Sequence, residues 1–229
     1  NGLLRPSRGA LTICGKSTED KRVAELAGMV ALQFQNPDDQ ICKGTVWEEV
    51  TFGPRNLGYP EERMRTLVNA SLDVFELLPM TQRNPHDLGL SERKRLSMAS
   101  VMSMDTDIVV LDEPTAGLDP RELAMLEGAL RCLESKEKTV LVISHDMDFI
   151  AENMTRAICL ENGEIRFDGK IANLFADHSL MERCGLLPPQ TAQLGARLDL
   201  NLNNFTPQGV VEALLASRRD CDNRKVISF

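Results

Sequence analysis

The stretch Ile108-Val109-Val110-Leu111-Asp112-Glu113-Pro114-Thr115-Ala116-Gly117-Leu118-Asp119 (IVVLDEPTAGLD, residues 108–119) decides how this chain folds. It opens on a continuous apolar run rich in β-branched residues, then breaks abruptly into two carboxylates and a proline. A run of this kind reads as a short strand covered on both faces, the habit of parallel sheets. A second such run, Val140–Ile143 (VLVI), ends in Ser144-His145-Asp146. Between the two lies a helical pattern, Pro120–Glu134, long enough for a right-handed crossover. In open parallel sheets the ligand sits beyond the carboxyl ends of the strands. Asp112, Glu113 and His145 are therefore expected to meet at one sheet edge.

The chemistry follows from that placement. An aspartate at the end of a buried strand can hold Mg²⁺, usually through water, because the ion keeps much of its hydration shell. Side chains alternate along a strand, so Glu113 points away from Asp112 and can face an attacking water. His145 can donate a hydrogen bond to a terminal phosphate or to that water. The plainer alternatives are two solvated carboxylates at a strand end and a structural histidine.

Outward from this centre, Ala10–Ile13 reads as a short strand and Gly28–Phe34 as a second apolar run, broken by Asn36-Pro37-Asp38-Asp39. Met64, Leu67, Val68, Leu72 and Phe75 recur at spacings of three and four, which predicts a helix over Glu61–Leu78. Another helix is expected to begin near Ser91, with Ser91 as its N-cap and Glu92 in its first turn. Glu161-Asn162-Gly163 between Ala157–Leu160 and Glu164–Phe167 marks a hairpin. Residues 171–229 read as short helices and loops, a tail without a second core. The net charge of −8 argues against a surface that coats nucleic acid. No segment approaches the roughly 18–20 apolar residues of a membrane span. Cys14, Cys42, Cys132, Cys159, Cys184 and Cys221 form no CxxC pair and read as free thiols of a reducing compartment.

Leu111-Asp112-Glu113-Pro114-Thr115, Ala116-Gly117-Leu118-Asp119 and Ile143-Ser144-His145-Asp146 resemble, in order, the Walker B motif, D-loop and switch histidine of an ABC-transporter ATPase. Phe34-Gln35-Asn36-Pro37-Asp38-Asp39-Gln40 resembles that family's Q-loop. The wider wording, NPDDQI, TVWEEVTFGPRNLG and GLLPPQ, is similar to the energy-coupling-factor branch, the ATPases of cobalt, nickel and vitamin importers. The resemblance implies an α/β fold: a RecA-like P-loop NTPase core with an inserted helical subdomain and a small C-terminal extension. It divides the chain into 1–40 (first part of the core), 41–104 (helical subdomain), 105–170 (second part of the core) and 171–229 (extension). ATP and Mg²⁺ are the implied cofactors. Glu113 and His145 are the implied catalytic residues, with Asp112 and Gln35 approaching the metal through water. Gly89, Ser91, Glu92 and Asp119 would contact the nucleotide held by a second ATPase subunit, in a homo- or heterodimer. The other implied partners are a transmembrane coupling subunit and a substrate-binding membrane subunit, at the cytoplasmic face of the membrane; no nucleic acid is implied.

Two departures from the family pattern stand out. The signature LSGGQ is replaced by Leu88-Gly89-Leu90-Ser91-Glu92, so that Leu90 puts bulk where backbone should approach phosphate, and Ser91 would take over the serine's role. The other concerns GALTICGKST, residues 9–18. A phosphate loop reads G-x-x-x-x-G-K-[ST]. Here residue 10 is alanine, and Leu11-Thr12-Ile13 brings in β-branched residues that resist the φ angles of a phosphate nest. The stretch reads better as a strand and turn, with Lys16 on the surface, and the phosphate loop is expected ahead of residue 1. Two other readings stay open: a non-catalytic subunit that completes another chain's ATP site, and a soluble ABC protein of DNA repair or translation.

Overall fold

The structure is a computed structural model that describes residues 2–200, 202 and 205–225, with side chains as far as Ser217. The thiol of Cys221 therefore lies outside the described residues. Two compact units divide the chain, Asn1–Ser144 and His145–Phe229.

The first unit opens with a small antiparallel hairpin, β1 (Thr12–Ile13) and β2 (Lys16–Ser17). At its tip Cys14 and Gly15 both have positive φ, +49° and +72°. Two left-handed residues in a row make the tight turn that suits the twist of paired strands. Gly15-Lys16-Ser17 is thus half of a hairpin, and Lys16 is exposed on it. The strand expected over Ala10–Ile13 shrinks to two residues, Thr12 and Ile13.

Helix α1 (Val23–Ala27) leads into β3 (Val30–Gln33). Asn36 then caps a 3₁₀ turn at Pro37–Asp39, its side chain accepting from the Asp38 N–H at 3.2 Å. Helices α2 (Val46–Asn56), α3 (Glu61–Val74) and α4 (Leu90–Met102) follow and pack on one another. Thr45 caps α2 by accepting from the Glu48 N–H. Helix α3 ends at Val74, short of the expected Leu78. Glu76 turns left-handed, φ +53°, and the Leu77 N–H bonds back to the Leu72 carbonyl at 2.8 Å. With the Glu76 N–H on the Asp73 carbonyl at 3.0 Å, this is the hydrogen bonding of a Schellman helix stop. The apolar period runs on past the stop because Leu77 is fully buried from outside the helix.

Strand β4 (Ile108–Asp112), α5 (Pro120–Ser135) and β5 (Thr139–Ile143) complete a parallel sheet of order β3-β4-β5. Its register pairs Leu32 with Val110, Val110 with Leu141, and Asp112 with Ile143. Strand β4 is covered on both faces, as expected. Leu111 packs among Phe75, Met98, Leu126 and Leu130, while Ile108 and Val110 lie against Ile13, Leu26 and Val30. Strand β5 corrects the same expectation. Leu141 and Ile143 are 48 % and 49 % exposed. Among the described residues β5 pairs with β4 alone, so its outer edge stays open.

In the second unit, α6 (Met147–Asn153) precedes the hairpin of β6 (Arg156–Glu161) and β7 (Glu164–Lys170). Asn162 and Gly163, at φ +53° and +80°, turn it where the sequence signal lies. Helices α7 (Ile171–Ala176), α8 (His178–Arg183), α9 (Gln190–Arg197) and α10 (Pro207–Lys225) follow. Helix α7 packs on both hairpin strands, and the Phe175 and Phe205 rings meet edge to face at 5.0 Å. Ile171, Leu174, Leu180 and Met181 are buried. The segment read as a coreless tail therefore carries apolar packing of its own.

Candidate active site

The site is built where the parallel strands end. Asp112 is the last residue of β4, opposite Ile143 of β5. The Glu113 N–H donates to the Ile143 carbonyl at 2.8 Å, which extends the ladder by one bond. At that point the backbone leaves the strand: Glu113 has φ +46°. A residue with a Cβ in this region costs about 1–3 kcal/mol and persists only where its surroundings impose it. The reversal carries the Glu113 side chain out of strand alternation, to within 3.4 Å of the Ser144 Oγ, which donates to it.

The turn that follows is closed by the Leu118 N–H on the Thr115 carbonyl, with Gly117 at φ +79°. Asp119 then caps α5, accepting from the Glu122 N–H at 2.8 Å, while the Glu122 carboxylate accepts from the Asp119 N–H at 3.1 Å. Glu122 also meets Arg95 of α4 at 3.1 Å, in a pair with both side chains about nine-tenths buried. One carboxylate thus fixes both the D-loop end and a helix beside it.

Helix α4 faces this turn. Its N-cap is Gly89, and the Glu92 carboxylate accepts from the Gly89 N–H at 2.8 Å. The expectation of Ser91 as N-cap is corrected: Ser91 is the second helical residue. Glu92 sits three residues past the cap only when Gly89 is the cap, and that spacing closes the carboxylate half of a capping box. Leu90, the first helical residue, is 58 % exposed. From Lys94 to Val101 every residue is buried. The polar ones are matched. Lys94 Nζ donates to the Glu113 carbonyl at 2.6 Å and the Ala116 carbonyl at 3.0 Å. Arg95 donates to the Phe75 carbonyl at 2.5 Å, and Ser103 to the Val50 carbonyl at 2.8 Å. Burial pushes the Lys94 ammonium below its usual range, and the nearby Glu113 and Asp112 carboxylates oppose that fall.

Gln35 is exposed, two residues past β3, at the same end of the sheet as Asp112. Gln40 ties this segment to α4: its Oε1 accepts from the Phe34 N–H, and its Nε2 donates to the Ser97 carbonyl and the Ser100 Oγ at 2.9 and 2.8 Å. Asp38 pairs with Arg93 at 3.0 Å. His145 opens the second unit, exposed, beside Asp146, which caps α6 by accepting from the Phe149 N–H at 3.0 Å. The first unit therefore brings together Asp112, Glu113, the D-loop turn and α4, and His145 is described with the second unit. The sequence reading missed Lys94, Gln40, Arg95, Glu122 and Ser144. Its one available signal was Lys94, Ser97, Ser100 and Ser103 at intervals of three, a polar line on a helix bounded by apolar residues.

Among the described residues no three His, Cys, Asp or Glu side chains converge as a metal site. Asp112 and Gln35 still fit Mg²⁺ as hard oxygen donors, because Mg²⁺ in nucleotide sites takes one or two protein ligands and completes its shell with phosphate and water.

A parallel sheet with a carboxylate pair at its C-terminal end and helices between its strands is an open α/β arrangement that binds ligands beyond the strand ends. Likeness to solved cassettes shows it to be the mixed α/β fold of an ABC ATPase. The ABC transporter family matches residues 1–116. A putative ABC transporter ATP-binding protein of Methanosarcina mazei is 38 % identical over 207 residues, 90 % of this chain and 35 % of that protein. The energy-coupling factor transporter ATP-binding protein EcfA of Methanothermobacter thermautotrophicus is 37 % identical over 200 residues, 86 % of this chain and 64 % of the relative. Among solved structures, cbiO1 from Clostridium perfringens, part of the ABC transporter complex cbiONQ, superposes with a TM-score of 0.67 at 25 % identity, covering 87 % of this chain and 79 % of that one. A dimeric ATP-binding cassette in a post-hydrolysis state, bound to ADP and Pi, gives a TM-score of 0.65 at 26 % identity over 74 % of this chain and 76 % of that one. The chain belongs to the ABC transporter ATP-binding family. It spans about a third of the length of the Methanosarcina relative.

Proposed function

We propose that this chain is an ATP-binding, ATP-hydrolysing subunit that powers an energy-coupling-factor type importer of a vitamin or transition-metal ion. The observation that carries the reading is the Glu113 carboxylate, turned out of β4 by a left-handed backbone and aimed beside Ser144. In this reading Glu113 orients the attacking water and takes its proton. The water oxygen bonds to the γ-phosphorus, the bond to the ADP oxygen breaks, and phosphate leaves. His145 donates to the γ-phosphate. Asp112 and Gln35 would hold Mg²⁺, which would supply charge neutralisation on the phosphate oxygens. Gly89, Ser91, Glu92 and Asp119 serve the nucleotide of the second ATPase subunit, from the start of α4 and the start of α5.

The EcfA and cbiO1 likenesses support the importer branch, and the dimer with ADP and Pi supports a two-subunit sandwich. Among the described residues no helix is long and apolar enough to cross a membrane. On the strength of the EcfA and cbiO1 likenesses, the reading adds a separate membrane-embedded coupling subunit and a substrate-binding one, with this chain at the cytoplasmic face. A second reading, in which the chain completes a partner's site without turning over its own, is favoured by residues 12–17, which form a hairpin with Lys16 exposed and not a phosphate loop.

Glu113→Gln separates the two. In the assembled transporter it is expected to lower turnover by about 10²–10⁴-fold with ATP still bound, because that is the usual worth of a positioned base. Unimpaired turnover with this chain mutated, and loss when only the other ATPase subunit is mutated, would establish the second reading instead.

A further inference from the structure

We propose that Lys94 is a positioning residue that sets the direction of Glu113 by clamping the turn behind it, an inference that rests on the reading of Glu113 as the base. The Lys94 side chain reaches from the second turn of α4 to two carbonyls of one turn, Glu113 at 2.6 Å and Ala116 at 3.0 Å. Glu113 is the residue that holds the unfavourable left-handed backbone, φ +46°. Its N–H is already committed to the Ile143 carbonyl. With the N–H fixed on one side and the carbonyl on the other, the peptide planes flanking Glu113 cannot rotate back to an extended strand. The carboxylate is held beside Ser144 as a result.

A buried ammonium is a costly way to fill space, and an apolar side chain of similar volume would often serve stability as well or better. Lys94 is only 4 % exposed. What lysine adds is several donors on one atom, enough to bind both carbonyls at once. Asp112 and Glu113 supply the counter-charge. The clamp also joins two parts of the site. Lys94 lies four residues beyond Leu90, on the helix whose start is assigned to the partner's nucleotide. A shift of α4 along its axis would act on Glu113 through this side chain.

The test compares Lys94→Met, Lys94→Arg and Glu113→Gln in the transporter containing this chain, with ATP turnover measured against ATP concentration. Lys94→Met is expected to lower kcat roughly 10–100-fold, the scale of a reacting group misplaced by about an ångström. The KM for ATP should stay within about twofold, since ground-state binding is untouched. Lys94→Arg, which keeps a charged donor, should recover most of kcat, and Lys94→Met added to Glu113→Gln should cost nothing further. An unchanged kcat in Lys94→Met, equal losses in the Met and Arg variants, or additivity with Glu113→Gln each overturns the clamp. Should Lys94→Met not fold, Lys94→Gln, too short to bind both carbonyls, carries the same expectation and the same refutation. If Glu113→Gln itself retains turnover, the assignment of the base falls, and the clamp is judged by structure alone. A crystal structure of the Lys94 variant with Glu113 still near φ +46° overturns it; a relaxed turn upholds it.

Discussion

Glu113 and Lys16 show how far a single residue's chemistry depends on its backbone. Both are charged residues in motifs with a nucleotide-binding look. Glu113 is at a strand end where the chain reverses, and the reversal aims its carboxylate at Ser144. Lys16 follows a glycine that makes a hairpin turn, and its side chain stands exposed on a two-residue strand. Nothing there gathers backbone N–H groups into a cradle around its ammonium, which is what a phosphate-loop lysine works beside. Lys16→Ala is therefore expected to leave the ATP affinity of the assembled transporter unchanged. Equilibrium titration with a fluorescent ATP analogue checks this, and a tenfold loss would restore the phosphate-loop reading of residues 9–18. The register of the glycines made this legible in the sequence. Ser144's contact with Glu113 was not legible, because it joins strands paired only through their register.

At the scale of elements, α4 and α5 are joined by Glu122. Its carboxylate completes the capping box with Asp119 and pairs with the buried Arg95. These two roles separate by mutation. Asp119→Ala removes one cap and should cost about 1 kcal/mol. Glu122→Ala leaves the Arg95 guanidinium buried without its counter-charge and should cost about 3–5 kcal/mol. Urea unfolding midpoints at constant slope measure both, and equal costs for the two substitutions would show that the Arg95 pair adds nothing. Helix α4 was the element least legible in the sequence. A serine is a good cap and points to a start at Ser91, yet the spacing of Glu92 from Gly89 governs. Its polar residues look solvent-facing, yet from Lys94 to Val101 the helix is buried on all sides. By contrast β4, α5 and the β6–β7 hairpin were readable, because each carries its own punctuation: the carboxylate pair and Pro114, the Asp119-Pro120 start, and Asn162-Gly163.

At the scale of the whole molecule, the apolar surface is uneven. β4 is covered on both faces, while β5 keeps Leu141 and Ile143 half exposed beside an edge with no partner among the described residues. An open, apolar edge strand is a template for pairing with other chains. The purified chain is expected to associate as its concentration rises, and Leu141→Lys to suppress that association while leaving unfolding cooperative. Light scattering over a concentration series decides, and association of equal strength in the variant would show that the β5 edge is not responsible. The sequence by itself determined the family, the parallel α/β class and the order of the motifs, because apolar runs, turn residues and the Asp112-Glu113-Pro114 break are local signals. Only the tertiary structure decided which way Glu113 faces, what Lys94 and Glu122 bind, and which strand is left uncovered. Those depend on contacts between residues such as Lys94 and Ala116, 22 positions apart, whose meeting is set by the packing of a buried helix on a sheet end.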